Sequence, residues 1–174
     1  MKTAYHIAIE GTIGVGKTSL AKLLSERLDG RLVLEKFEEN PFLEEFYKNP
    51  ENYAFQTQLW FLLSRYRQQQ DLQQTDLFTS ALVSDYMFIK DRLFAALNLN
   101  DNEMKLYDMV ARILEKNVIN PDLVIFLQSD TERLMENIKI RGRDYEESMD
   151  WKYIDALNQI YNEFFFRYDK SPLL

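Results

Sequence analysis

Three features of the sequence predict an α/β fold, a parallel β-sheet with helices on both faces. Short apolar runs recur along the chain, segments of helical periodicity separate them, and a glycine-rich turn follows the first run. Parallel neighbours need a crossover, and helical crossovers cover both faces of the sheet. Ala4–Ile9 (AYHIAI) is the first run, closed by Glu10-Gly11, and its lack of alternation suits a strand buried on both sides. Leu20, Leu23, Leu24 and Leu28 then recur at helical spacing until Asp29-Gly30 stops the helix. Arg31–Leu34 (RLVL) reads as the second strand, and a long helix is expected from about Tyr53 to Gln73, with Gln68–Gln70 on a polar face. Ser80–Ser84 (SALVS) is the third strand and Asp122–Leu127 (DLVIFL), introduced by Pro121, the fourth. Between them Leu106, Met109, Val110, Ile113 and Leu114 share one helical face.

With no repeat, low-complexity tract or linker, residues 1–174 are expected to form one domain. The chain ends at Ser171-Pro172-Leu173-Leu174, directly after a helix, where such a fold begins another strand, so a C-terminal strand is expected to be lacking. Hydrophobic residues make up 46% and aromatics 14%, a composition that folds despite 28% charge. A net charge of -7 opposes a nucleic-acid backbone or an anionic membrane as the main partner. A small ligand in a local basic pocket remains compatible. There is no cysteine, hence no disulfide and no thiolate metal site. No apolar run approaches the roughly 18 residues of a membrane span, and a cytoplasmic location is expected.

Gly11-Thr12-Ile13-Gly14-Val15-Gly16-Lys17-Thr18, followed by Ser19, matches G-x-x-x-x-G-K-S/T between an expected strand and an expected helix. Glycines let successive backbone N–H groups curl toward one anion, and the helix N-terminus adds partial positive charge. Lys17 is placed to neutralise β- and γ-phosphates, and the Thr18 hydroxyl to meet magnesium. Three of the five glycines lie in this loop and a fourth, Gly142, lies between two arginines.

A phosphate loop specifies a nucleotide and leaves the task open. A guanine switch would need N-K-x-D and D-x-x-G strings, and neither occurs. Ligands of open parallel sheets bind beyond the carboxyl ends of the strands. There Glu35 follows strand two and Asp85 follows strand three. Two carboxylates beside a triphosphate make chemical sense when one holds magnesium and the other takes a proton from an attacking hydroxyl.

In order along the chain, EGTIGVGKTSL, LEKFEENPFL, YKNPENYAFQTQLWFLLSRYRQ, SDYMFIKDRLFA, PDLVIFL and IRGRDYEE resemble the deoxynucleoside kinases, especially the bacterial deoxyadenosine/deoxyguanosine kinases. The resemblance implies a P-loop kinase fold with an arginine-bearing lid at about residues 139–149, ATP with Mg2+, a deoxynucleoside acceptor and a homodimer. Glu35 then matches the general base for the 5′-hydroxyl, although its motif usually continues Pro-Val and here reads Lys36-Phe37; Glu38 and Glu39 compete for the role. Tyr47 resembles the tyrosine that reaches the 3′-hydroxyl, with a core aromatic as the alternative. Gln58 and Arg65 fall on residues that read the base, two helical turns apart on one side, with Gln56 as competitor if the FQT string is what aligns. Asp91 matches an aspartate that meets an exocyclic amine or the neighbouring ring nitrogen, so an amino-bearing base is expected over thymine.

Asp85 takes the place of an acidic residue that the family usually follows with arginine. Here Tyr86 follows, and Arg92 or a lid residue would have to supply the charge. Arg141 and Arg143 resemble lid arginines that close over phosphates, where a planar fork suits anionic oxygens, and Glu146 resembles the residue that meets the 3′-hydroxyl on closure. His6, the single histidine, is expected to be structural. Two other readings remain: a thymidylate-type monophosphate kinase, which would place its acceptor phosphate against Glu35, and a non-catalytic P-loop binder, which has no use for a base there.

Overall fold

The computed structural model describes residues 5–73, 80–146 and 149–174. Ala4 of the first expected strand and residues 147–148 of the expected lid lie outside them. Four parallel strands, β1 (Tyr5–Glu10), β2 (Arg31–Val33), β3 (Ala81–Ser84) and β4 (Leu123–Phe126), stand in the order β2-β3-β1-β4. Ile7 pairs with Val83 on one side and Leu123 on the other, so β1 is central. Ala8 and Ile9 are fully buried, as its unbroken apolar run requires.

The seven α-helices of the described residues are α1 (Lys17–Arg27), α2 (Leu43–Lys48), α3 (Pro50–Gln73), α4 (Lys90–Asn98), α5 (Asp101–Glu115), α6 (Thr131–Arg141) and α7 (Trp151–Phe166). Pro50 opens α3, where a missing N–H costs nothing. Asn100 and Glu103 form a capping box that starts α5 separately from α4. On one face of the sheet Ala8 and Val124 pack with Met87, Leu93, Leu157, Tyr161 and Phe165. On another, Ile9 and Val83 pack against Ala21 of α1.

Two apolar helical stripes lie partly on the surface. In α1 the fully inward positions are Ala21 and Ser25, while Leu23 and Leu28 are exposed. In α5 Tyr107 and Ala111 point inward, leaving Leu106, Met109 and Ile113 more than half exposed. Helical spacing marks a stripe of apolar residues without saying which way it turns, and small side chains are what a helix lying close to a sheet can accommodate. The glutamine triplet also departs from a purely polar face, because Gln69 is buried and Gln68 donates to the Leu34 carbonyl at 3.2 Å.

The last residues carry a feature beyond the four expected strands. Leu173 bridges Val124 in parallel, with Val124 N–H donating to Pro172 O and Phe126 N–H to Leu174 O, each at 2.9 Å. The chain from 172 to 174 therefore continues the sheet beyond β4.

Gly11 closes β1 at φ +147°, and a Cβ there would stand 2.5 Å from the Leu127 carbonyl oxygen. Both the conformation and the space demand glycine. Gly11→Ala is expected to destabilise the fold by about 1–3 kcal/mol, read as a lower midpoint in urea unfolding with an unchanged slope.

Candidate active site

β1 delivers the chain into the loop 11–16, and α1 begins at Lys17 with Gly16 at φ +101° before it. Two later helices hold this loop from behind. Asn137 of α6 donates to the Gly14 carbonyl and Thr12 donates to Asn158 of α7, each at 2.8 Å. Lys17 turns its ammonium to the Gly11 and Thr12 carbonyls at 2.7 and 3.0 Å. Burial, and next the ammonium of Lys90, pull the Lys17 group down to about 8.

The carboxyl ends of β2 and β3 bring Glu35 and Asp85 to the same place. Thr18 donates to Asp85 Oδ2 at 2.6 Å, and the Glu35 backbone N–H donates to Asp85 Oδ1 at 2.8 Å. The Glu35 side chain is ion-paired to both Arg65 of α3 and Lys90 of α4, and Arg65 also pairs with Asp91. Burial works to raise the Glu35 carboxyl, but Arg65 and then Lys90 overturn it and hold the group at about 2. It is ionised throughout the physiological range.

One cavity of about 570 Å³ is lined by Ile13, Gly14, Gly16, Lys17, Thr18, Ser19, Glu35, Tyr47, Gln58, Arg65, Asp85, Asp91, Arg141, Arg143 and Glu146. Of the residues singled out from sequence, Gly11, Thr12 and Val15 build the loop without lining this space. In each of the two contests among neighbours one candidate lines the cavity. Glu38 and Glu39 point outward, Glu39 toward exposed Lys36. Gln58 is buried at the cavity, whereas Gln56 is exposed and donates to Asn52 O. Gln58 Oε1 and Asp91 Oδ2 are buried acceptors with no partner among the described residues.

Tyr47 stacks on Tyr145, ring centroids 5.7 Å apart, and burial holds its hydroxyl well above the usual phenol range. Arg141 grips Glu146 with two nitrogens, the shortest contact 2.6 Å, and Arg143 reaches the same carboxylate at 3.4 Å. The Arg143 guanidinium also lies 4.2 Å from the centroid of the Phe37 ring. Phe37 thus occupies the usual Val position as a cation–π partner.

The expectation for Arg92 is corrected. Its guanidinium is turned away to Asp108 at 3.3 Å and does not line the cavity. Tyr86 is fully buried, with Arg65 5.7 Å from its ring centroid. His6, lowered to about 4 by burial, meets Ser84 Oγ at 2.9 Å inside the sheet.

Sequence reasoning missed Lys90, whose ammonium is the second cation on Glu35. A signal was present: a lysine in the first turn of a helix opposes the helix dipole and implies a partner elsewhere. It also missed Glu10, fully buried at the end of β1 and accepting from Met87 N–H at 2.6 Å and Gly11 N–H at 3.2 Å. A carboxylate closing a buried apolar run was its signal.

The arrangement suits magnesium as one hydroxyl and one carboxylate in contact at a phosphate loop, since that ion keeps waters and phosphates among its ligands. No cluster of three or more metal-binding side chains occurs among the described residues. None of the described helices is long and apolar enough to cross a membrane.

Comparison with known proteins gives concordant results. The family model described as deoxynucleoside kinase matches residues 7–174. Deoxyguanosine kinase of Bacillus subtilis is 33% identical over 160 residues, 90% of this chain and 76% of that protein. Deoxyadenosine kinase of Dictyostelium discoideum is 37% identical over 91% of this chain and 66% of its own length. The solved M. mycoides deoxyadenosine kinase with bound dATP superposes with a TM-score of 0.87 at 28% identity, over 98% of this chain and 89% of that one.

The Glu35 ion pairs carry a pH signature. Its folded value of about 2 lies below the unfolded value of about 4.3, so its stabilisation is complete above the latter and drains as pH falls toward the former. The difference in urea midpoint between wild type and Glu35→Gln is expected to be flat above about pH 5 and to shrink on acidification through that window. A difference independent of pH down to about 2 would contradict the pairing.

Proposed function

The chain belongs to the deoxynucleoside kinase family, and from that premise we propose that it transfers the γ-phosphoryl group of ATP to the 5′-hydroxyl of deoxyadenosine, deoxyguanosine or deoxycytidine for nucleotide salvage. The observation that carries this reading is a continuous line of contacts within one cavity. Thr18 at the phosphate loop meets Asp85, Asp85 meets Glu35, Glu35 meets Arg65, and Arg65 meets Asp91 beside the unpartnered acceptor of Gln58. Donor phosphates belong at one end of that line and the base at the other.

Glu35 accepts the 5′-proton as the O5′ to γ-phosphorus bond forms, and the bond from γ-phosphorus to the β-phosphate oxygen breaks, releasing ADP. With Arg65 and Lys90 beside it, Glu35 remains a weak base, and it acts on a proton that becomes acidic only as the new bond forms. Lys17 and, on closure, Arg141 and Arg143 stabilise the charge that develops on the phosphoryl oxygens. Thr18 and Asp85 would hold Mg2+, which when bound neutralises phosphate charge.

At the sugar, Tyr47 and Glu146 would meet the 3′-hydroxyl; the Glu146 carboxylate is close enough to help raise the Tyr47 hydroxyl. At the base, Gln58 Oε1 and Asp91 Oδ2 both require donors. Adenine, guanine and cytosine bring an amino group, whereas thymine presents only its ring N–H and would leave one buried acceptor unpaired. The exposed row Leu106, Met109 and Ile113 on α5 is where the expected homodimer would form.

A panel of four deoxynucleosides with ATP and magnesium is expected to give lower kcat/KM for thymidine than for the other three, by at least about tenfold, one unpaired buried group. A thymidine value above all three would overturn the assignment of Gln58 and Asp91. Glu35→Gln is expected to cost about a hundred- to ten-thousand-fold in kcat while deoxynucleoside affinity by calorimetry changes little. Turnover within about threefold of wild type would exclude Glu35 as the base.

A further inference from the structure

Glu35 has to meet the 5′-hydroxyl and Lys17 the donor phosphates, so the reacting atoms lie between these two side chains. Lys90 lines the same cavity as both. Its ammonium pairs with Glu35 Oε2, and its charge acts on the buried groups of Lys17 and Glu10. It is buried and lines the cavity, with the Phe94 ring 5.8 Å from its nitrogen.

Neither residue position otherwise available for a cation serves this spot. Tyr86, directly after Asp85, is an uncharged ring buried in the core, and Arg92 faces Asp108 outside the cavity. Arg65 is shared between Glu35 and Asp91, and both lid arginines rest on Glu146. Lys90 also sits in the first turn of α4, where the helix dipole disfavours a cation, and two buried ammonium groups repel there. An arriving phosphoryl group would relieve both penalties at once, because its negative charge attracts both ammonium groups.

We infer that Lys90 is the cation that serves the transferring phosphoryl group and the 5′-oxygen in this chain, the task for which the family resemblance implies an arginine after Asp85. The inference rests on the proposed 5′-phosphotransfer. In the free enzyme Lys90 stands on Glu35; as the 5′-oxygen bonds to phosphorus, the ammonium follows the developing charge. Its compact point charge can swing on four methylenes, and a single donor is enough when Arg65 still holds the other Glu35 oxygen.

Three forms of the whole protein test this: wild type, Lys90→Met and Lys90→Gln, the last retaining a donor toward Glu35 without the charge. Both variants are expected to lower kcat by about 100- to 1,000-fold with the KM for deoxynucleoside and the affinity for ADP within about threefold of wild type. Affinity for the transition-state mimic formed from ADP, aluminium fluoride, magnesium and deoxynucleoside should fall by a factor similar to kcat, a split that loss of packing alone would not produce. Retained deoxynucleoside binding reports that each variant is folded, and Lys90→Gln serves if Lys90→Met does not fold. An active wild type with Lys90→Gln within about threefold of its kcat would overturn the role of Lys90 alone. Equal loss of ADP, nucleoside and mimic affinity would overturn it too, in favour of a structural part. A wild type that phosphorylates none of the four deoxynucleosides would overturn the proposed function and this inference with it.

Discussion

A carboxylate removed from water costs several kcal/mol unless a cation and hydrogen bonds replace its hydration. This fold removes Glu35 and Asp91 together, and Arg65 is what makes that possible. Its guanidinium pairs with Glu35 at the exit of β2 and with Asp91 in α4, while the rings of Phe61 and Tyr86 lie 5.1 and 5.7 Å from it. Buried pairs of this kind add little net stability, but removing one partner strands the others at about 3–5 kcal/mol. The consequence is positional: α3, α4 and the segment after β2 have one relative arrangement that pairs Glu35 and Asp91 with Arg65. Most of what the cavity can do follows from that arrangement.

The phosphate loop depends on a second set of restraints that lie far along the chain. Gly14 is reached by Asn137 and Thr12 by Asn158, so helices α6 and α7 fix a loop that precedes them by more than a hundred residues. The loop is therefore held in its curled form before any phosphate arrives, which lowers the ordering cost of binding. Glu10 contributes from beneath, tying the loop through Gly11 to Met87 after β3.

At the opposite side of the cavity the cations are held more loosely. Arg141 and Arg143 are about one-third exposed and share the Glu146 carboxylate, itself nearly buried. Under the proposed function a triphosphate would compete with Glu146 for these guanidinium groups by offering more charge to the same two-pronged fork. Release of Glu146 toward the sugar and capture of the arginines by phosphate would be one exchange.

How far the sequence reached is clearest residue by residue. By itself it determined the class of fold, the strand–loop–helix opening with Lys17 and Thr18, and the acidic ends of strands two and three, because these are local: a glycine pattern, a run of apolar residues and the residue that follows it. The ordered motifs were specific enough to indicate the family. Only the tertiary structure decided which glutamine faces the cavity, that Arg92 turns to Asp108, and that Lys90 shares Glu35 with Arg65. It also decided which faces of α1 and α5 turn inward and that residues 172–174 run beside β4. These outcomes depend on partners tens of residues away, where the electrostatic and packing terms are set by which elements come together, and no local pattern encodes that meeting.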